Sequence, residues 1–265
     1  MIVPLLKRNM ISCAKIFVIL YAVISMYTVI IIYMYDPKLS DILNDYQQAM
    51  PGMMSAIGMT GIATNLLEWA QIYLYGFVML LFPLIFIIIL MQKLLVGYVD
   101  SGAMANLLAT PNARREVIVT QAVSAVIWLA ILMGTITVTG IACAEILFPK
   151  ELDQKQYLML NASTLLLQIA VCGIVFFVAC VCCEAKHYYM FGAGIPLVFF
   201  LIQMIANMGE KLENLRYLTI YTLLPAAEIA QGQSGCWKEN VMLAVIAAVF
   251  FTGGSAWFCR RNLSL

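Results

Sequence analysis

Six long apolar blocks, separated by polar connections, dominate the pattern of hydrophobic and polar positions along this chain. A helix of about 20 apolar residues crosses the hydrocarbon core of a bilayer and satisfies its own backbone hydrogen bonds there. The pattern therefore predicts an all-α, polytopic integral membrane protein that forms a single domain over residues 1–265 with six transmembrane helices. The predicted helices cover residues 11–35, 69–91, 117–148, 157–183, 188–208 and 241–259.

The connection between the second and third blocks, residues 99–121, combines turn formers, small residues and paired arginines. Residues 100–102, Asp-Ser-Gly, form a turn cluster. The following AMANLLA favours a short helix with Met104, Leu107 and Leu108 on one face. Thr110 before Pro111 then predicts the start of the third membrane helix. The result is a short helix on the membrane surface. Such a helix suits the groove of a partner protein, although an ordinary amphipathic connector would show the same spacing.

Composition narrows the class of protein. Apolar residues make up 63% of the chain and charged residues only 11%, whereas a soluble domain carries about 25% charged residues. Most of the surface must therefore face lipid. The net charge of +1 leaves no basic face to neutralise phosphates, which argues against a nucleic acid as partner.

The distribution of basic residues predicts the orientation. An even number of spans places both termini on one side, and the short connections on that side are basic. The positive-inside rule assigns that side to the cytoplasm, so we expect both termini inside. The basic residues collected there are Lys7, Arg8, Lys15, Lys93, Arg114, Arg115, Lys186, Arg260 and Arg261.

The polar residues within the blocks are uncharged. Gln121, Gln168, Gln203 and Asn207 are expected to bond neighbouring helices rather than to contact a substrate. No Asp, Glu, Lys or Arg lies in the middle of a predicted span. Ion-driven transporters usually carry intramembrane carboxylates, so this pattern counts against a proton or sodium relay.

No residue set in the sequence predicts catalysis, a metal site or a bound cofactor. The chain has no G-x-x-x-x-G-K-[ST] loop to cradle phosphates. The cysteines lie mostly in or beside apolar blocks, where cysteine behaves as a small hydrophobe. His187, the only histidine, is expected at the membrane edge.

The hydropathy layout, the segment GYVDSGAMANLLATPNARREVIVTQ and the segment YTLLPAAEIAQG together resemble ABC-2 permeases, the membrane subunits of exporter-type ABC transporters. The resemblance implies that residues 102–110 form the coupling helix that docks on an ATPase. It also implies a separate interfacial helix at residues 2–10 and an outer re-entrant element at about residues 218–229, before the last helix. The residues expected to contact the partner are Asp100, Ser101, Gly102, Met104, Ala105, Leu107, Leu108 and Thr110.

The same resemblance implies a working unit of two ATPase subunits and two permeases, either identical or homologous, in the plasma membrane of a bacterium. ATP and Mg²⁺ would be bound by the partner ATPase, so this chain is not expected to be an enzyme. A peptide or another amphipathic molecule is the expected cargo. The alternatives are a secondary transporter or channel that works without ATP, or an intramembrane enzyme, for which no catalytic constellation can be assembled.

Overall fold

The computed structural model describes residues 2–35, 65–108, 113–182, 184–208, 210–232 and 237–260, with the single positions 56 and 63. Within these residues every regular element is helical and no strand occurs. Six helices of 22 to 34 residues are long and apolar enough to cross a membrane. The predicted all-α class is therefore confirmed for these residues, and the six candidate membrane-spanning helices match the predicted number.

The helices follow one another in a simple order. The α-helices are α1 (Val3–Tyr33), α2 (Leu66–Ala70), α3 (Val78–Met91), α4 (Gly97–Asp100), α5 (Ala103–Leu108), α6 (Arg114–Leu147), α7 (Gln154–Val181), α8 (Ala185–Tyr188), α9 (Gly194–Ala206), α10 (Ala226–Ala230) and α11 (Trp237–Arg260). The π-helical turns Gln71–Tyr75, Gln92–Val96 and Tyr189–Ala193 follow α2, α3 and α8. The 3₁₀ turns Glu210–Leu218 and Ile220–Leu223 precede α10. The second membrane helix is thus built from α3 and α4, and the fifth from α8 and α9.

The first membrane helix is continuous from Val3, so the prediction of a separate interfacial helix at residues 2–10 is wrong. Its first turn contains Pro4, where a missing backbone N–H is harmless because the first helical donors have no partner anyway. Leu5, Asn9 and Cys13 repeat every four residues and form a buried face. The buried face of residues 5–13 continues into the buried face of the rest of α1. The helix therefore runs on without a break.

The second membrane helix extends further than its apolar block, to Asp100 rather than to residue 91. It also begins later than predicted, at Val78 rather than at residue 69. Phe77 leaves the helical conformation, with φ −131° and ψ −58°, and Pro83 lies inside α3. Gln92, Lys93 and Asp100 interrupt the apolar pattern in the last turns, although Leu94, Leu95 and Val96 there are buried, so these turns were not predicted.

Helices α3, α6 and α7 form the centre of the bundle, whereas α1, α9 and α11 lie at its edge. In the most apolar part of α7, 67% of the residues are buried, against 22% in α11. A Cβ atom on Gly254 of α11 would lie 3.1 Å from the Phe176 ring of α7. Small residues thus allow close helix approach, as expected for membrane helices.

The segment before α11 packs against the bundle as short helical turns. Ile220, Tyr221 and Ile229 are buried. Gln203 of α9 accepts hydrogen bonds from Thr219, at 2.5 Å, and from Thr222, at 3.0 Å. The expectation that buried amides bond neighbouring elements is met here.

Candidate functional site

The predicted docking helix lies at the end of the bundle where the chain begins, which we call the amino-terminal end. Two bonds bring its elements together. The backbone N–H of Ile2 donates to Thr120 Oγ1 of α6, at 3.0 Å. Lys93 Nζ of the second membrane helix donates to the Ser12 carbonyl of α1, at 3.2 Å. The first three membrane helices therefore meet next to α5.

A tight turn sets α5 apart from the second membrane helix. Gly102 has φ +70°, a left-handed conformation that glycine adopts without steric cost. A Cβ atom there would meet nothing within 4 Å, so the backbone angle rather than crowding requires glycine. Ser101 Oγ donates to the Gly97 carbonyl at 2.6 Å and closes the preceding turn. The turn predicted at residues 100–102 is confirmed.

The two faces of α5 have different surroundings. Met104 is fully buried in the chain's own core, and Leu107 packs against that core while remaining partly exposed. Ala105 is half-buried and Asn106 is exposed. The surface that α5 offers is therefore built around Ala105, Asn106 and Leu107. Leu108 ends the helix, and Thr110 lies outside the described residues.

Asp100, which the sequence places in the docking surface, has a partner within the chain. Its Oδ1 accepts a hydrogen bond from the backbone N–H of Ala185, at 3.1 Å. Ala185 is the first residue of α8, and the adjacent Glu184 makes no side-chain cap of its own. Asp100 thus caps the fifth membrane helix across a long sequence separation, satisfying one of its free N–H groups.

A second bond joins the same two helices deeper in the bundle. The hydroxyl of Tyr188 donates to the Ile88 carbonyl of α3 at 2.7 Å, and the Tyr188 side chain is fully buried. A Cβ atom on Gly192 would lie 2.7 Å from the Tyr188 ring, so glycine makes room for the ring. The second and fifth membrane helices are therefore fastened at two levels next to α5.

Helices α1 and α6 are joined by a buried polar group, in which Gln121 was expected to bond a neighbouring helix but its partner Asn9 was not predicted. Asn9 Nδ2 donates to Gln121 Oε1 at 2.7 Å and to Ser124 Oγ at 3.0 Å. Arg8 lies over the Tyr98 ring, 5.5 Å from its centroid, a cation–π contact. The four-residue spacing of Asn9 from Leu5 and Cys13 was the available signal, because it places Asn9 on the buried face.

The two ends of the bundle differ in charge. Exposed basic side chains at the amino-terminal end are Lys7, Arg8, Lys15, Arg114, Arg115, Lys186 and Arg260. At the opposite end, a cavity of about 480 Å³ is lined by Glu68, Glu151 and Asp153 together with Asn65 and Gln156. The exposed basic side chains described at the opposite end are fewer: Lys150, Lys155, Arg216 and Lys238.

The amino-terminal end also holds the side chains of His187 and Glu184. His187 pairs with Glu184 at 3.4 Å, and both side chains are more than half exposed. Among the described residues, no three His, Cys, Asp or Glu side chains are grouped to hold a metal ion. No protein-family model, curated protein or solved structure matches this chain. The distinctive feature is a short helix with Asn106 exposed, which follows the second membrane helix at the point where Asp100 bonds the fifth.

Proposed function

We propose that this chain is the membrane-spanning permease subunit of an ATP-driven ABC transporter of the ABC-2 type. A separate ATPase subunit would dock on α5. The observation that carries the proposal is the pairing of Asp100 with Ala185, which ties the turn before α5 to the start of the fifth membrane helix. A force applied to α5 therefore reaches two membrane helices together. The resemblance of the sequence to ABC-2 permeases supports the same role.

In this mechanism ATP and Mg²⁺ are held by the ATPase, and this chain converts its closure into helix movement. Closure displaces α5, and the Asp100 and Tyr188 bonds carry the displacement into the second and fifth membrane helices. Packed helices switch between discrete arrangements rather than deforming continuously. Two permeases and two ATPases form the working unit in the plasma membrane, with both termini inside and residues 218–229 as a re-entrant element at the outer side. A peptide or another amphipathic molecule is the proposed cargo.

A pair of matched substitutions tests docking. Asn106 and Asn214 are both exposed, but Asn214 lies at the opposite end of the bundle. Asn106→Glu places a charge on the α5 surface without touching the buried Met104 face. We expect Asn106→Glu to abolish co-purification of the ATPase and ATP-driven export in proteoliposomes, while Asn214→Glu leaves both intact. Normal ATPase binding and export by the Asn106→Glu variant would exclude docking at α5.

The alternative, transport without ATP, has its own signature. Purified chain alone would then move a substrate across vesicles under a proton or sodium gradient. Gradient-driven transport that persists without any ATPase would replace the proposal by a secondary transporter. Within the described membrane helices, the carboxylate side chains lie only within about one turn of a helix end, which favours the ATP-driven mechanism over an ion relay.

A further inference from the structure

Pro83 leaves a gap in the hydrogen-bond ladder of the second membrane helix. Pro83 lies inside α3, and proline has no backbone N–H to donate to the carbonyl four residues earlier. That carbonyl belongs to Met79, whose side chain is fully buried. In a lipid environment an unpaired carbonyl is costly, because no water can replace the lost donor.

Gln168 of α7 closes this gap. Its Nε2 lies 2.9 Å from the Met79 carbonyl and 3.5 Å from the Leu80 carbonyl. Gln168 is itself fully buried, and its Oε1 has no hydrogen-bond partner in the described part of the chain. Of the two polar atoms of Gln168, only the Nε2 donor makes a bond among the described residues. The need for this donor therefore explains why an amide occupies position 168.

The position of this bond along the helix gives it mechanical importance. The helical conformation is broken at Phe77, just before α3. The arm from Pro83 to Asp100 leads directly to α5 and is fastened to the fifth membrane helix through Ile88. The Gln168 amide can exchange between the Met79 and Leu80 carbonyls when the segment from Pro83 to Asp100 tilts. A backbone hydrogen bond within the helix would have to break during the same movement.

We infer that Gln168 is a positioning residue that holds the second membrane helix at the Pro83 gap, so that movement of α5 is transmitted through this point to α7. The transmission role rests on the proposed function, whereas the bond itself does not. Because α7 is the most buried membrane helix, a contact on it reaches the centre of the bundle.

A double-mutant cycle on the purified full chain in detergent tests the bond. Gln168→Leu should lower the melting temperature clearly, because the Met79 carbonyl loses its donor. In the Pro83→Ala background the backbone N–H of residue 83 can donate to the Met79 carbonyl. Gln168→Leu should then lower the melting temperature much less. Gln203→Leu removes another buried amide, whose partners are Asn207, Thr219 and Thr222, and it should lower the melting temperature equally in both backgrounds. Equal losses for Gln168→Leu in both backgrounds would overturn the inference.

Transport measurements test transmission. In proteoliposomes with the ATPase, Gln168→Leu should bind the ATPase normally but export about fivefold less cargo per ATP hydrolysed, a modest coupling loss. Thr164→Val, one turn away on α7 and bonded only to the Leu160 carbonyl, should keep the wild-type ratio. An unchanged ratio in Gln168→Leu would refute transmission. Failure of the wild-type chain to bind any ATPase would overturn the proposed function and transmission with it, while the cycle would still establish the bond.

Discussion

The two ends of the bundle are held together by different interactions. At the amino-terminal end, hydrogen bonds join separate membrane helices, with Asn9 and Asp100 as the central groups. At the opposite end, aromatic contacts add to such bonds, one of which runs from Asn240 Nδ2 of α11 to Ser163 Oγ of α7 at 3.1 Å. Tyr35 contacts Trp69 and Phe148 with centroids 5.9 Å and 5.2 Å apart, and Trp69 Nε1 donates to the Ile31 carbonyl at 2.9 Å.

Unpaired polar atoms sharpen this difference. Within the described residues, the buried side-chain atoms without a hydrogen-bond partner are Tyr75 Oη, Gln121 Nε2, Trp128 Nε1, Tyr157 Oη, Asn161 Oδ1, Gln168 Oε1, Tyr221 Oη, Glu239 Oε2 and Asn240 Oδ1. Most of them belong to the end opposite the amino terminus. A paired buried group costs stability when its partner is removed, whereas removing an unpaired one can cost nothing. Substitutions of buried polar residues should therefore change the free energy of unfolding differently at the two ends.

The largest effect is expected where the opposite end is packed most tightly. A Cβ atom on Gly140 of α6 would lie 2.1 Å from the Tyr157 hydroxyl of α7, far inside normal contact. Gly140→Ala should therefore lower the free energy of unfolding by about 3 kcal/mol, the upper end of the range for overpacking. Thermal or denaturant unfolding of the purified chain in detergent measures this loss.

A second substitution shows whether the hydroxyl is responsible. Tyr157→Phe removes the Tyr157 oxygen while keeping its ring, so it should restore part of the stability lost in Gly140→Ala. Tyr75→Phe removes a neighbouring buried hydroxyl that faces Tyr157, but it leaves the Tyr157 oxygen beside Gly140 and should rescue much less. Equal rescue by both substitutions would mean that overpacking at Gly140 is not the cause.

At the amino-terminal end the strongest effect is expected for Asn9. Asn9→Leu leaves Gln121 Oε1 and Ser124 Oγ without their donor in a buried setting. We expect a loss of about 2 kcal/mol in the free energy of unfolding. Ser25→Ala, which removes an exposed hydroxyl bonded only to the Ala22 carbonyl of its own helix, serves as the control and should change little. An Asn9→Leu variant with an unchanged free energy of unfolding would contradict the contrast between the two ends.

A smaller loss is expected when the cap on the fifth membrane helix is removed. Asp100→Ala takes away the acceptor for the Ala185 N–H, and losing a helix cap costs about 1 kcal/mol. Asp100→Asn keeps an acceptor oxygen and should retain most of the stability. Hydrogen exchange at the start of the fifth membrane helix should rise in Asp100→Ala and stay low in Asp100→Asn. Exchange that is unchanged in Asp100→Ala would show that the cap does not hold this helix.

Sequence patterns predicted the elements of this chain better than the bonds between them. The apolar blocks gave the correct number of membrane helices, because lipid imposes the same requirement on every span. The glycine at position 102 marked its turn because few residues adopt a positive φ. The docking of α5 on an ATPase stays a prediction.

The pairings that connect distant parts of the chain were not predictable from local spacing. The partners of Asn9 and Asp100 lie 112 and 85 residues away in sequence. Nothing in the periodicity around Asp100 distinguishes a cap on a distant helix from an exposed docking residue. The inward face of Met104 was missed for the same reason, since an apolar stripe on a short helix does not say which surface covers it.

The smallest expected effect has the opposite sign and comes from the segment before α11. The Tyr221 side chain is 3% exposed, its hydroxyl has no partner among the described residues, and its ring contacts Phe200. Tyr221→Phe keeps the ring and removes the unpaired hydroxyl, so stability should rise by about 0.5 kcal/mol. Tyr188→Phe makes the same chemical change at a hydroxyl bonded to the Ile88 carbonyl and should lower stability. The difference in melting temperature between these two variants measures how much pairing, rather than burial, separates the two ends.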